Sequence, residues 1–274
     1  MSTAVATLSL ISHRPPVTVG PMVTTGRSRL RPLARALVVV VLAGSTVALG
    51  GLRPSAPAGH GELRFDPGRF TTRIDNPFWP MAPGNHWVYR GIDADGSRYR
   101  VEVTVTERTT TILGIQARVV RDRVFEHERP LEGAEEWYAQ DAQGNLWQLG
   151  EVRHEYGGAE PSTDRSWRAG VAGAQPVLVL PDDPEPGTVY RQRDAAVQVL
   201  SAATTAKVPF GSFQRLLVTR ESAPPASRPP EHQVEDEFYA RGIGPVLAVT
   251  VSGGSGREEL VGFDDARSAG TATG

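Results

Sequence analysis

From residue 85 onward the chain alternates apolar and polar positions, and no stretch keeps a helical period. Tyr99, Val101, Val103 and Val105 interleave with Arg98, Arg100, Glu102, Thr104 and Thr106, the pattern of a strand with one wet face. The same reading predicts strands at Asn85–Ile92, Gln116–Glu128, Val177–Leu180, Thr188–Arg193 and Ala196–Ala203. It predicts four more at Phe213–Ser222, Glu231–Ala240, Val246–Ser252 and Glu258–Phe263. Asp93-Ala94-Asp95-Gly96 and Gly253-Gly254-Ser255-Gly256 read as hairpin turns between neighbours. Together they predict an all-β, mostly antiparallel domain, either a curved sheet or an open barrel.

The stretch Glu135–Glu151 anchors this prediction. Asp141-Ala142-Gln143-Gly144 reads as its turn, with Gly144 supplying the left-handed residue of a type I turn plus bulge. That register sets Ala139 opposite Trp147 and Trp137 opposite Leu149 as one apolar face. Glu136, Tyr138, Gln140, Leu146 and Gln148 fall on the other, mixed face. Two of the five tryptophans thus enter from one hairpin. On this reading Trp137 and Trp147 are core residues, and Tyr138 is the less costly one to remove.

An internal repeat divides the predicted domain. Pro83-Gly84 followed by Trp87-Val88-Tyr89-Arg90 resembles Pro186-Gly187 followed by Thr188-Val189-Tyr190-Arg191. Glu136-Trp137-Tyr138-Ala139 resembles Glu237-Phe238-Tyr239-Ala240, and Gly144-Asn145-Leu146-Trp147 resembles Gly244-Pro245-Val246-Leu247. The matches keep their order at a spacing of about one hundred residues. They predict one domain over 59–265, made of half-repeats at about 83–155 and 186–263 and linked by a loop over 157–176. Phe238 and Ala240 would take the core positions of Trp137 and Ala139.

Ahead of that domain, Arg27, Arg29, Arg31 and Arg35 precede an apolar run from Ala36 to about Leu52. A basic stretch before such a run is the layout of a secretory signal. Ala56-Pro57-Ala58 fits a small-x-small cleavage site, which puts the mature start near Gly59. The polar lead before Arg27 is long for a signal and raises Met22 as an alternative start. The other reading of 1–58 is an uncleaved anchor that attaches the protein to the membrane through 36–52, since ~17 apolar residues can suffice to span. Residues 266–274 are small and polar, a frayed tail.

Composition narrows the chemistry. The absence of cysteine excludes disulfides, thiol catalysis, thiolate metal sites and a lipid-modified cysteine. A formal net charge of −2 gives no long-range field for nucleic acid. Lys207 is the only lysine, and the arginines trace no patch or stripe. Roughly two hundred residues after the signal suffice for one sizeable core.

Asp75-Asn76-Pro77-Phe78-Trp79-Pro80, then Pro83-Gly84 and Trp87-Val88-Tyr89, resembles the opening signature of a family of uncharacterised exported bacterial β-rich proteins. The likeness returns at Trp137-Tyr138-Ala139-Gln140-Asp141 with Gly144-Asn145, at Ser166-Trp167 with Ala169-Gly170-Val171, and at Gly242-Ile243-Gly244. It covers roughly Phe65 to Val249. The resemblance implies export and an all-β fold, and it brings no established activity. Members of that family carry acidic residues where this chain has Arg168 and Ala172, so it implies no shared metal or acid site there.

Catalytic motifs are sparse. Ser255 sits among turn glycines with no strand-to-helix transition, so it is no nucleophile elbow. His86, His127, His154 and His232 lack metal-ligand spacing. Asp93-x-Asp95-Gly96 lacks the closing glutamate of a calcium loop, because Thr104 stands in its place. No metal or cofactor is expected. Glu136, with Glu135 and Glu151 near the open end of the hairpin, could flank a sugar-sized gap as an acid pair. Solvated strand ends are the simpler role for them.

Aromatic residues make the better site. Tyr138 and Tyr239 point away from the tryptophan face, and Trp79 with Phe78 lies in a segment bounded by Pro77 and Pro80. Trp167 lies within the long segment Gly157–Pro176, which reads as a lid. Trp79, Tyr138, Trp167 and Tyr239 are therefore the candidate ligand-binding residues. A hydrophobic plug at the end of the sheet is their alternative role. The sequence thus predicts an exported or envelope β-domain that binds an apolar or carbohydrate-like ligand, or an envelope partner, without catalysis. The alternatives are a carboxylate-dependent hydrolase and a purely structural envelope domain.

Overall fold

Fourteen strands pair into one sheet in a computed structural model that describes residues 65–156, 166–192, 195–222 and 234–266. The predicted signal or anchor over 1–58, the loop over 157–165 and most of the tail lie outside the described residues. Among the described residues no helix is long and apolar enough to cross a membrane. A single 3-10 turn at Pro67–Arg69 precedes the sheet, capped by the Asp66 carboxylate accepting from the Gly68 amide.

The first run of strands is β1 (Phe70–Thr71), β2 (His86–Ile92), β3 (Arg98–Ile112), β4 (Ile115–Glu126), β5 (Arg129–Asp141) and β6 (Leu146–Glu155). Two short strands follow, β7 (Trp167–Arg168) and β8 (Val177–Leu180). The second run is β9 (Val189–Gln192), β10 (Ala195–Val208), β11 (Gly211–Ser222), β12 (Val234–Ala240), β13 (Gly244–Ser252) and β14 (Arg257–Asp264). β2 to β6 form one antiparallel meander and β9 to β14 another. The last strand joins them by pairing with β2, Leu260 opposite Tyr89.

The sheet is not closed into a barrel by a backbone ladder. Its two ends meet through side chains instead: the Tyr190 hydroxyl and the Gln192 amide nitrogen both donate to the Val179 carbonyl of β8, at 3.1 and 2.7 Å. β8 in turn pairs with β6, so the seam is bridged but unladdered.

Local turn chemistry matches the sequence where glycine is required. In the β5–β6 hairpin the Gly144 amide donates to the Asp141 carbonyl at 3.0 Å, and Gly144 takes φ +90°. The turn at Asp93–Gly96 closes the same way, at 2.9 Å, with Gly96 at φ +87°. Asp93 and Asp95 spend their carboxylates on the amides of Ala94 and Ser97, which is turn chemistry.

Register in the key hairpin is partly as expected. Ala139 faces Trp147, but Trp137 faces Gly150 rather than Leu149. A bulge between those two pairs absorbs one residue of β6. Gly150 is there because a side chain would meet the Trp137 ring and the Trp167 carbonyl below 3.0 Å.

The two faces of this hairpin also carry different weight than expected. Trp137, Trp147, Ala139 and Leu149 do share a face, with Ile112, Ile115, Ala117, Phe65, Phe70 and Trp167. That cluster is the smaller one, and Trp137 and Trp147 stay partly exposed. Tyr138 and Leu146 belong to the main core with Trp87, Tyr89, Val103, Leu217 and Leu260. Tyr138 is 1% exposed, and the expectation that it is the cheaper residue to remove is corrected. The sheet curls so that the mixed face lies inside, where Tyr138 is covered from several strands at once. The same holds in β12, where Tyr239 is buried and Phe238 is only partly covered.

The segment between β1 and β2 plugs one end of the interior. Asn76 is fully buried and ties it down. Its side-chain oxygen accepts from the amides of Phe78 and Trp79, and its amide nitrogen donates to the carbonyls of Gly144 and Pro181. Gln140 accepts from the Asp75 and Asn76 amides and donates back to Asp75. Trp79 is thereby set between Tyr138 and Tyr239, at ring distances of 6.1 and 6.3 Å. Burying each such ring contributes about 2–3 kcal/mol.

Candidate functional site: a carboxyl-lined interior above an aromatic floor

Side chains in register on neighbouring strands point to the same face. On the β3–β6 side this rule places Asp122 beside Val103, Glu136 beside Val120, and Glu151 opposite Glu136. On the other side it places Glu237 beside Thr219 and Ala248, Glu235 beside Glu221, and Glu258 beside Gly91. Val103, Val120 and Tyr239 belong to the main core, so all these carboxyls point inward. They form the layers next above the floor made by Trp79, Tyr138 and Tyr239.

Tyrosines hold three of these acids. The Tyr138 hydroxyl donates to Glu136 at 3.0 Å, and Tyr239 donates to Glu237 in the same arrangement two residues apart. Tyr99 hydrogen-bonds Glu258, and its ring lies across Gly91, where any side chain would collide with it at 2.0 Å. Tyr89 senses Glu258, Glu237 and Asp122 together, so both sides of the interior share one electrostatic space.

Among the described residues two arginines reach this face. Arg153 is buried and donates to Glu151 at 2.9 Å and to Glu132 at 3.4 Å. Arg118 turns its guanidinium to the carbonyls of Thr106 and Glu107 at a bulge in β3. Burial therefore decides the titration. It pushes Glu136 up to about 8, with the charges of Glu151 and Asp122 adding to the effect. Glu237 also rises to about 8 by burial, against the Tyr239 hydrogen bond and with help from Glu221 and Glu258. Burial alone raises Glu221 to about 7, and burial followed by the charge of Glu237 raises Glu235 well above the usual range.

Glu221, Glu235 and Glu237 are surrounded by protein yet keep part of their surface uncovered. Opposite Tyr138 on β6 lies Gln148, 0% exposed, with neither amide atom hydrogen-bonded. The second oxygen of Glu136 is likewise buried without a partner.

The candidate residues are therefore divided. Trp79, Tyr138 and Tyr239 come together as the floor, the plug role. Trp167 does not join them: in β7 it pairs with Glu151 of β6, and it packs into the outer cluster with Trp137. Arg168 beside it lies over the Trp137 ring at 5.5 Å and donates to the Thr111 carbonyl at 2.7 Å. Glu136 and Glu151 are cross-strand partners inside, whereas Glu135 points outward. Burial opposes the Glu135 charge, but Arg108 and Arg121 outweigh it and hold the carboxyl below its usual range.

Sequence reading missed Gln148, Glu221, Glu235 and Glu258 as one group. Each looked like the polar side of an alternating strand, and the signal that could have marked them is the Glu-x-Tyr pattern shared by β5 and β12. A half-open recess of about 600 Å³ lies outside this interior, between Glu126, His127, Arg129, Pro130, Leu131 and Tyr156. Among the described residues no group of three or more His, Asp or Glu side chains is placed to hold a metal ion.

No protein-family model matches the chain, and no curated protein matches it. Three solved structures are similar at low identity. A Bacteroides fragilis protein described as exported, with a YmcC-like fold, is 12% identical over 69% of this chain and 99% of that one, at a TM-score of 0.42. A Parabacteroides distasonis protein described as a lipoprotein is 11% identical over 68% and 98%, at 0.40. A β-barrel-like protein of unknown function from Brucella abortus is 12% identical over 66% and 96%, at 0.29.

Proposed function

We propose that this is an exported β-domain that binds a small polar ligand of the carbohydrate kind inside its curled sheet, without transforming it. The observation that carries the reading is the inward face of the sheet: partly uncovered carboxyls above an aromatic floor, with buried polar atoms unpaired beside Tyr138. Aromatic surface with a few convergent polar groups is the composition of small-ligand sites. Export rests on the basic stretch and apolar run from Arg27 to Leu52 with the Ala56-Pro57-Ala58 site. Native mass spectrometry of the protein recovered from its own host tests the proposal. A retained compound lost on denaturation supports it, and a bare polypeptide mass in every preparation removes it.

One observation favours a catalytic second reading. Glu136 is driven toward its protonated form while its neighbour Glu151 is hydrogen-bonded by Arg153, an acid beside a base. Turnover of an aryl glycoside that vanishes in Glu136→Gln would establish that reading, and no turnover by the full chain would remove it.

A further inference from the structure

Exposed aliphatic residues are ordinary when they stand singly and informative when they stand together. Leu113 is 48% exposed at the tip of the β3–β4 hairpin, and Val171 is 57% exposed in the turn after β7. The two tips touch. A side chain at Gly170 would meet Leu113 Cδ2 at 2.5 Å, and one at Gly114 would meet Pro67 at 3.2 Å. Pro67, Leu113 and Val171 therefore lie along one edge, supplied by three separate turns. Leu113 also takes φ +52°, a left-handed conformation in which a hairpin tip favours glycine or asparagine.

The edge is firmly mounted. Ile112, Ile115 and Ala169, next to the tips in the chain, are buried in the outer cluster behind them. The Val171 turn closes on itself: Val171 donates to the Arg168 carbonyl at 3.1 Å, and Gly170 to that of Ala174 at 2.8 Å. It thus offers side chains outward rather than bare amides. Trp137, Trp147 and Trp167 of the same cluster keep part of their surface uncovered. Arg168 and Arg69 are exposed beside the turns, while the Asp66 carboxylate is engaged by the Gly68 amide. Protruding aliphatic tips backed by tryptophan and arginine are the composition of a surface that lies among lipid headgroups.

The path of the chain favours that occupant. Phe65 packs edge-on against Trp147 at 5.2 Å, within this cluster. Residues 53–64 separate it from Leu52, where the apolar run ends, and such a stretch spans at most about 40 Å. A retained anchor would hold this end of the domain near the bilayer, and a cleaved signal would leave the edge itself to bind. We propose that the Pro67–Leu113–Val171 edge is a membrane-docking surface, with Leu113 and Val171 entering the headgroup region of a lipid bilayer. It lies outside the curled sheet and does not depend on ligand binding there.

The chain has no cysteine, so a single introduced one takes a spin label without competition. Leu113→Cys, Val171→Cys and Val251→Cys in the full chain would each be labelled and mixed with phosphatidylethanolamine–phosphatidylglycerol vesicles. Val251, 45% exposed, is the reference: a side chain at nearby Gly254 would meet Ala94, in the turn before β3, at the other end of the sheet. Vesicles should raise collisions with oxygen, relative to a water-soluble nickel chelate, about fivefold at 113 and 171 and leave 251 unchanged. Equal changes at all three positions, or no rise at 113, would overturn the proposal. Spin–spin broadening at 113 without that rise would give the edge to a second copy of the chain, and overturn it too. In the unaltered chain, vesicles should slow hydrogen exchange at Leu113, Gly114 and Val171 but not at Ser252, a reading that holds even where a variant fails to fold.

Discussion

Glu136 and Glu151 face each other across the β5–β6 pair, both all but fully buried, yet Tyr138 serves one and Arg153 the other. That difference separates their charges. Arg153 hydrogen-bonds Glu151, while burial and the Glu151 charge drive Glu136 toward its neutral acid. A pair so arranged is stable only while Arg153 is present.

Arg153→Met should therefore be strongly destabilising, by about 3–5 kcal/mol, because it strands buried Glu151 and Glu132 without their cation. Adding Glu151→Gln should restore part of the loss. Urea denaturation of the single and double variants measures the coupling, and equal stabilities for the two would contradict the pairing.

Stability should fall as pH rises from about 5 to 8. Glu136 and Glu237 keep their protons to about 8 and Glu221 to about 7 in the folded chain, whereas unfolding returns each to a value near 4.5. Between these limits the folded state binds more protons, so each group's contribution is full below the unfolded value and is lost as pH climbs through the folded one. The slope is up to about 1.4 kcal/mol per pH unit for each group. Thermal melting across this range should show the decline, and Glu136→Gln should flatten it.

Tyr138→Ala should cost about 3–5 kcal/mol, the range for removing a large aromatic from a core. Trp137→Ala should cost less, because that ring is partly exposed in the smaller cluster. Trp167→Ala should loosen the same outer cluster and leave the main core around Trp79 unchanged, which amide hydrogen exchange at Leu149 and at Trp79 would check. A larger loss at Trp137 than at Tyr138 would mean that the outer cluster is the true core.

The seam should open when its side-chain bridges are removed. Tyr190→Phe and Gln192→Leu each delete a hydrogen bond to the Val179 carbonyl, worth about 1 kcal/mol apiece. Hydrogen exchange should quicken in β8 and β9 in the double variant while β3 and β4 keep their protection. Uniform acceleration across the sheet would show that the seam holds the whole fold rather than its edge.

The amino-acid order alone predicts the long strands, their turns and the separation of two faces, but not the short strands β1 and β7. Alternation from Tyr99 to Val105 and the Gly144 and Gly96 turns depend on neighbours a few residues apart, and local sterics settle them. It also placed Trp137 and Trp147 together, because side-chain period along a strand needs no tertiary information. Which face lies inside was decided by the curl of the sheet. β14 pairs with β2, and Tyr190 and Gln192 reach Val179, contacts between residues distant along the chain. Those contacts turn the polar-looking face of Glu136 and Tyr138 inward and leave the tryptophan face to a smaller cover. A carboxylate read as solvated in one strand becomes a buried acid once strands from both halves surround it, since burial is a property of the assembled volume rather than of any segment.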